Sequence, residues 1–109
     1  MSTVVVNDKY ADALTALGDT QGAVEEALRR YIIEKIGERI ADLRRQIQHW
    51  EEKYGCPYEV FYSRIAGDEE FVNLLRQKYV TWEKDFQQWE FYIEEMRGWI
   101  SRLESILTD

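Results

Sequence analysis

Residues 81–107 read TWEKDFQQWEFYIEEMRGWISRLESIL, and they have the clearest apolar periodicity in the chain. From Trp82 to Leu107 its apolar residues recur at alternating intervals of four and three, which places them on one face of an α-helix. A third apolar column widens that face beyond a simple coiled-coil seam, and it consists of Tyr92, Trp99 and Ile106. We therefore predict a helix that buries more than one neighbour.

The main partner for this helix is residues 21–54, a stretch without proline. Apolar residues from Ile36 to Tyr54 also alternate by four and three. This spacing predicts a long helix whose second half packs antiparallel against residues 81–107. Gly55 follows and ends the helix.

Two shorter helices are predicted between the long ones, at residues 57–66 and 68–79, with Gly67 separating them. Their apolar residues face the same core. On this interpretation Trp82, Trp89 and Trp99 are core residues, because aromatic stripes at helical spacing usually pack inside. The alternative is a groove for a partner protein. The candidate partner-binding residues are Trp82, Trp89, Tyr92, Glu94, Glu95 and Trp99.

The N-terminal segment differs from the rest. Residues 3–7, TVVVN, are short and β-branched, which favours an extended strand over a helix. Residues 8–17 have helical spacing and are followed by Gly18, and Asp19 or Thr20 can cap the next helix. The predicted fold class is therefore mainly α, with one short N-terminal strand.

Charge is unevenly distributed along the chain. There are 21 acidic and 14 basic residues, for a net charge of −7. Residues 55–109 hold eleven acidic and six basic residues, so 6 − 11 = −5 of that charge lies there. This balance disfavours indiscriminate nucleic-acid binding and suits a basic protein partner.

The cysteine and histidine content limits the disulfides and metal sites that the chain can form. Cys56 and His49 are each the only residue of their type, so neither an internal disulfide nor a Cys/His zinc site is predicted. No secretory pattern and no bilayer-length apolar run is present. We expect a soluble cytoplasmic protein without a metal or a cofactor and without contact to a membrane.

No catalytic constellation stands out. His49 and Cys56 lack a third group to orient them, and no glycine-rich phosphate loop occurs. Acidic pairs such as Glu94 and Glu95 suggest an all-helical, magnesium-dependent nucleotide hydrolase, but the third carboxylate of such sites is missing. We predict a protein that is not an enzyme and keep the hydrolase as a third alternative.

Residues 3–36 read TVVVNDKYADALTALGDTQGAVEEALRRYIIEKI. Their order of strand, helix, tight turn and helix resembles the ribbon–helix–helix module of the Arc and MetJ class of repressors and of many antitoxins. The resemblance implies a homodimer whose paired strands enter the major groove of operator DNA. It assigns DNA contacts to Thr3, Val5, Asn7, Thr20, Gln21 and Gly22. It assigns dimerisation to Val4, Val6, Leu14, Leu17, Val24 and Leu28.

The remaining residues resemble the helical regions that follow such modules in type II antitoxins, most clearly at residues 82–90, WEKDFQQWE. The resemblance implies a dimerisation and DNA-binding module at 1–36 and a toxin-binding helical hairpin or bundle at 37–109. The predicted function is a dimeric antitoxin that neutralises a small basic toxin and regulates its own transcription at an operator. The alternative is a structural or adaptor helical dimer without DNA binding.

Overall fold

The computed structural model describes residues 5–18 and 20–108, with the backbone alone at Thr20. These residues form five α-helices and no strand. The helices are α1 (Asp8–Leu17), α2 (Thr20–Tyr54), α3 (Tyr58–Gly67), α4 (Glu69–Lys78) and α5 (Trp82–Leu107). The chain divides into two compact units, Met1–Lys35 (unit 1) and Ile36–Asp109 (unit 2). Residues of α2 contribute to both.

The predicted N-terminal strand is wrong. Val5 and Val6 have no regular secondary structure, and their exposed fractions are 88% and 41%. Asn7 begins α1 instead, because its Oδ1 accepts a hydrogen bond from the backbone N–H of Lys9 at 2.9 Å. A strand must share its backbone hydrogen bonds with a neighbour, and residues 5–18 and 20–108 provide no neighbouring strand. Residues 3 and 4, the rest of the predicted strand, lie outside the described residues.

The predicted ribbon–helix–helix module is therefore also absent from the part of the chain that the structure describes. Two helices follow one another in unit 1, but the ribbon that defines the module is not formed. The fold of the described residues is all-helical.

Turns between helices have clear local causes. Gly18 ends α1 with φ +126° and Gly55 follows α2 with φ +72°, values that residues with a Cβ adopt at a cost. Asp68 serves two helices at once. Its backbone N–H donates to the carbonyl oxygen of Arg64 at the end of α3, and its Oδ1 accepts from the N–H of Phe71 at the start of α4. This single residue links the end of α3 to the start of α4.

The core lies within unit 2 and draws on four helices. Trp89 of α5 and Phe61 of α3 are fully buried, with ring centroids 5.3 Å apart. Tyr54, in the last turn of α2, stacks on Trp89 at 6.0 Å, so the end of α2 lies beside the start of α5. Antiparallel packing of the two helices along their length, as expected from the apolar stripes, stays a prediction. The buried cluster consists of Ile47, Trp50, Tyr58, Phe61, Leu75, Trp89 and Ile93.

Within residues 5–18 and 21–35, unit 1 shows no comparable interior. No residue of α1 is buried, and residues 21–35 of α2 are all exposed or half-buried. Large apolar side chains face solvent here, with Leu17 84% exposed and Tyr31 59% exposed. A ten-residue helix without buried side chains gains little stability from packing.

None of the five helices in the described ranges combines the length and the apolar character needed to cross a bilayer.

Candidate functional site

A hydrogen-bond network around one buried carboxylate connects three helices of unit 2. Asp85 is 7% exposed and is the one buried charged residue in the described part of the chain. The ammonium of Lys53 donates to its Oδ2 at 2.6 Å, and the hydroxyl of Tyr54 donates to the same oxygen at 2.5 Å. The hydroxyl of Tyr79 donates to the backbone carbonyl oxygen of Lys53 at 3.2 Å. The ends of α2 and α4 and the start of α5 are thereby connected.

The electrostatics of this network favour the ionised carboxylate. Burial alone would raise the pKa of Asp85, but the hydrogen bonds from Lys53 and Tyr54 outweigh it and hold that pKa below its ordinary value. Burial, and then the hydrogen bond to Asp85, raise the pKa of the Tyr54 hydroxyl. The Lys53 ammonium also lies 5.5 to 5.8 Å from the ring centroids of Trp50, Tyr54 and Tyr79.

This network stabilises the fold and is not a ligand-binding site. One oxygen of Asp85 accepts two hydrogen bonds, and both donors are side chains of α2 in the same unit. The Asp85 side chain is 10% exposed, and the groove of about 370 Å³ that Lys53, Tyr54 and Tyr79 line does not include it. We assign Asp85 to the stability of unit 2.

His49 and Cys56 do not form a reactive pair. His49 is exposed, and its ring lies edge-on to Trp50 at 4.8 Å. Burial raises the pKa of the half-buried Cys56 thiol, and a higher pKa leaves less of the nucleophilic thiolate at neutral pH. Within residues 5–18 and 20–108, no three His, Cys, Asp or Glu side chains gather into a metal-ligand set.

The strand residues assigned to DNA occupy other positions. Thr3 lies outside the described residues. Val5 is exposed but belongs to no ribbon, and Asn7 caps α1. Since the ribbon was the element expected to enter the major groove, these assignments lose their structural basis.

The turn residues assigned to a phosphate lie at the start of α2. Thr20 is the first residue of that helix, and Gln21 and Gly22 follow in its first turn. The Gln21 Nε2 donates to Glu25 Oε1 at 2.9 Å, which places a carboxylate beside this helix start. A carboxylate there opposes the binding of a phosphate.

The residues assigned to dimerisation are mostly accessible. Val4 lies outside the described residues, and Val6 is not in a strand. Leu17 and Leu28 are exposed on the helices of unit 1. Leu14 and Val24 are half-buried. The helical members of this set remain available for contact with another chain.

The aromatic residues assigned to a partner are largely part of the core. Trp89 is completely buried, so no partner can touch it in this fold. Trp82 and Tyr92 are half-buried and pack against the core cluster. Trp99 is half-buried, and the guanidinium of Arg102 lies 4.5 Å from its ring centroid.

Of the two acidic residues assigned to a partner, Glu94 is exposed and Glu95 is half-buried. Glu94 lines a groove of about 400 Å³ between α3 and α5, together with Tyr58, Tyr62 and Glu90. Tyr58 and Tyr62 were not identified from the sequence. Their spacing of four on α3 was a usable signal, because residues four apart share one face of a helix.

Asp85 and Lys53 were also missed. Position 85 lies three residues after Trp82 and four before Trp89, which places it on the buried face of α5. A charge on that face requires a buried partner, and this was the signal that could have found both residues.

Comparisons of the chain with protein-family models, with curated proteins and with solved structures give no match.

Proposed function

We propose that this protein is a non-enzymatic interaction protein that self-associates through unit 1 and binds a basic protein through unit 2. The main support for this proposal is that the two units differ in how their apolar residues are buried. Unit 2 has a closed aromatic core, whereas large apolar residues of unit 1, among them Leu17, Leu28 and Tyr31, face solvent. Helices of that kind gain stability when another surface covers them.

A second copy of the chain is a suitable cover for unit 1. On α1, Tyr10 and Leu17 are seven residues apart and exposed, so they lie on one side of the helix. On α2, Leu28 and Tyr31 are three residues apart and also exposed. Two copies would bury these stripes against each other through helix–helix contacts, without any strand.

Charge on α2 favours an antiparallel arrangement of the two copies. Acidic residues occupy positions 25 and 26, and basic residues occupy positions 29 and 30. Antiparallel pairing centred between Ala27 and Leu28 brings opposite charges to the same level along the interface. Parallel pairing brings like charges together, which is unfavourable.

The acidic excess of unit 2 supports a basic partner. Residues 55–109 carry a net charge of −5, and a basic protein would be attracted and oriented by that field. Neutralisation of a small basic toxin, as the sequence predicted, is the particular form of this function that we propose. Operator binding is not included, because no ribbon is formed within residues 5–18 and 20–108.

Self-association is tested by sedimentation equilibrium of the full chain and of a Leu28→Glu variant. We expect a dimer for the unaltered chain and a monomer for the variant, because an apolar contact would be replaced by a buried charge. Val60→Glu is the matched control, since Val60 is 45% exposed on α3, close to the 47% of Leu28, and lies in unit 2. The control should remain dimeric. A monomeric unaltered chain, or equal loss of dimer in both variants, contradicts self-association through unit 1.

Partner binding is tested by co-expression of the tagged chain with the product of the adjacent open reading frame. A stoichiometric complex with a small basic protein that is toxic when expressed alone supports the antitoxin form of the proposal. A homodimer that leaves the neighbour unbound favours a structural or adaptor role instead.

A further inference from the structure

A groove on unit 2 combines an aromatic floor with an acidic rim. Tyr58 and Tyr62 of α3 face Glu90, Ile93 and Glu94 of α5 across about 400 Å³, and we call this the tyrosine–glutamate groove. That volume falls within the roughly 300–1,000 Å³ range of ligand-binding clefts.

The floor of the groove is rigid because it is continuous with the core. Tyr58 is 9% exposed, stacks on Phe86 at 5.6 Å and meets Trp89 edge-on at 5.6 Å. Ile93 beside it is also buried. Tyr62, by contrast, is 53% exposed, with its ring centroid 6.1 Å from that of Tyr58. The groove thus offers one fixed ring and one accessible ring.

The rim of the groove carries an excess of negative charge, because Glu59, Glu90 and Glu94 line it together with one cation, Arg97. Arg97 reaches Glu59 at 3.4 Å, but both side chains are more than 60% exposed and the pair is weak. Neither Glu90 nor Glu94 forms an ion pair with another residue in the described ranges. Burial raises the pKa of Tyr58, and Glu90 and Glu94 raise it further while Arg97 lowers it by less, so a net negative potential reaches the floor.

The spacing of the two glutamates is itself unfavourable. Glu90 and Glu94 are four residues apart on α5, where like charges repel each other and destabilise the helix. A cation between them would turn this repulsion into attraction. Local features that disfavour folding are frequent at functional sites.

We propose that the tyrosine–glutamate groove binds an arginine side chain of the basic partner protein. A guanidinium is planar, so it stacks on an aromatic ring while it donates hydrogen bonds to carboxylates. The same contact already occurs within this chain, where the guanidinium of Arg64 lies 3.9 Å from the ring centroid of Phe71. The inference rests on the proposed function, since it names the site at which the basic partner is held.

Titration of the full chain with a hexa-arginine peptide, followed by calorimetry, tests the groove. The Glu90→Gln/Glu94→Gln pair should weaken binding at least about tenfold, because two charge-assisted contacts are lost. Glu83→Gln/Glu104→Gln is the matched control, since it removes the same charge from exposed positions of α5 outside the groove. We expect the control to weaken binding less than about threefold. Circular dichroism confirms that both variants fold.

Further comparisons distinguish failure of the proposed arginine site from failure of the proposed function. Hexa-arginine should bind more tightly than hexa-lysine, and Tyr62→Ala should weaken binding where Tyr62→Phe does not. If the two glutamine pairs weaken binding equally, or if the two peptides bind equally well, the groove is not an arginine site. Such a result would leave a general acidic surface as the binding site for a basic partner. No binding of either peptide overturns both the groove and the proposed basic partner.

Discussion

Asp85 shows how a charge is accommodated inside an aromatic core. An isolated buried carboxylate would be strongly destabilising, and this one is ionised because Lys53 and Tyr54 both donate to it. The three residues come from two helices that lie far apart in the sequence. The network therefore fixes the alignment of α2 against α5 as well as compensating the charge.

The Asp85→Asn variant should lose stability in a pH-dependent way. At neutral pH we expect a loss of about 1.5–3 kcal/mol, typical of hydrogen bonds to a charged group. The folded-state pKa of Asp85 is lowered, so its contribution is complete above the unfolded-state pKa of about 3.9 and is lost as the pH falls through the folded-state value. The measured quantity is the free energy of unfolding in urea at several pH values.

The difference between the unaltered chain and this variant should therefore shrink below about pH 4. A difference that stays constant from neutral to acidic pH would contradict the assigned role of Asp85. Asp42→Asn is the matched control, because Asp42 pairs with Arg45 on the exposed surface of α2. We expect that control to change stability by less than about 1 kcal/mol.

A comparison of alanine variants at Trp89 and Phe91 tests the contribution of the core to stability. Trp89 is fully buried, so Trp89→Ala should destabilise unit 2 by about 3–5 kcal/mol. Phe91, two residues along the same helix, is 58% exposed, and Phe91→Ala should change stability by about 0.5 kcal/mol or less. Chemical denaturation measures both. Similar losses for the two variants would show that burial does not explain the role of Trp89.

The interior position of Trp89 was predictable because the intervals of four and three around it identify the buried face of α5. Asp85 lies on the same face and was overlooked, since a single charge does not disturb the apolar period. Which cation neutralises it depends on the alignment of α2 with α5. That alignment is set by packing between segments far apart in the sequence, which local patterns do not specify.

Among the helices, α3 ends and α4 begins at the same capping residue. Asp68 closes the end of α3 and caps the start of α4. Asp68→Ala should lower the free energy of unfolding by about 1 kcal/mol, because the N–H of Phe71 loses its acceptor. Asp68→Ser should retain most of that stability, since serine caps helices nearly as well. Equal losses in the two variants would indicate that capping is not the cause.

The error at the N-terminus has a physical reason. Three consecutive valines favour a strand, yet β propensity is expressed only where a neighbouring strand accepts the hydrogen bonds. Asn7 followed by Asp8 is a helix-start signal, and it was local enough to be used. The helix in which residues 8–17 lie was predictable, because its spacing and Gly18 agree with one another.

At the scale of the whole molecule, the two units differ in what stabilises them. Every member of the core cluster lies in unit 2, between Ile47 and Ile93. Unit 1 exposes several large apolar residues, and α1 contains no buried residue. The apolar spacing along α2 changes near Ile36, from successive steps of four to alternating steps of four and three. This change fits a helix that faces different neighbours in its two halves.

We infer that unit 2 folds by itself and that unit 1 associates with a second copy. The most direct test compares the full chain with a fragment of residues 36–109, using light scattering for mass and circular dichroism for helix content and thermal unfolding. We expect a dimeric full chain and a monomeric, helical fragment that unfolds cooperatively. A full chain and a fragment with the same oligomeric state, or a fragment without cooperative unfolding, would contradict it.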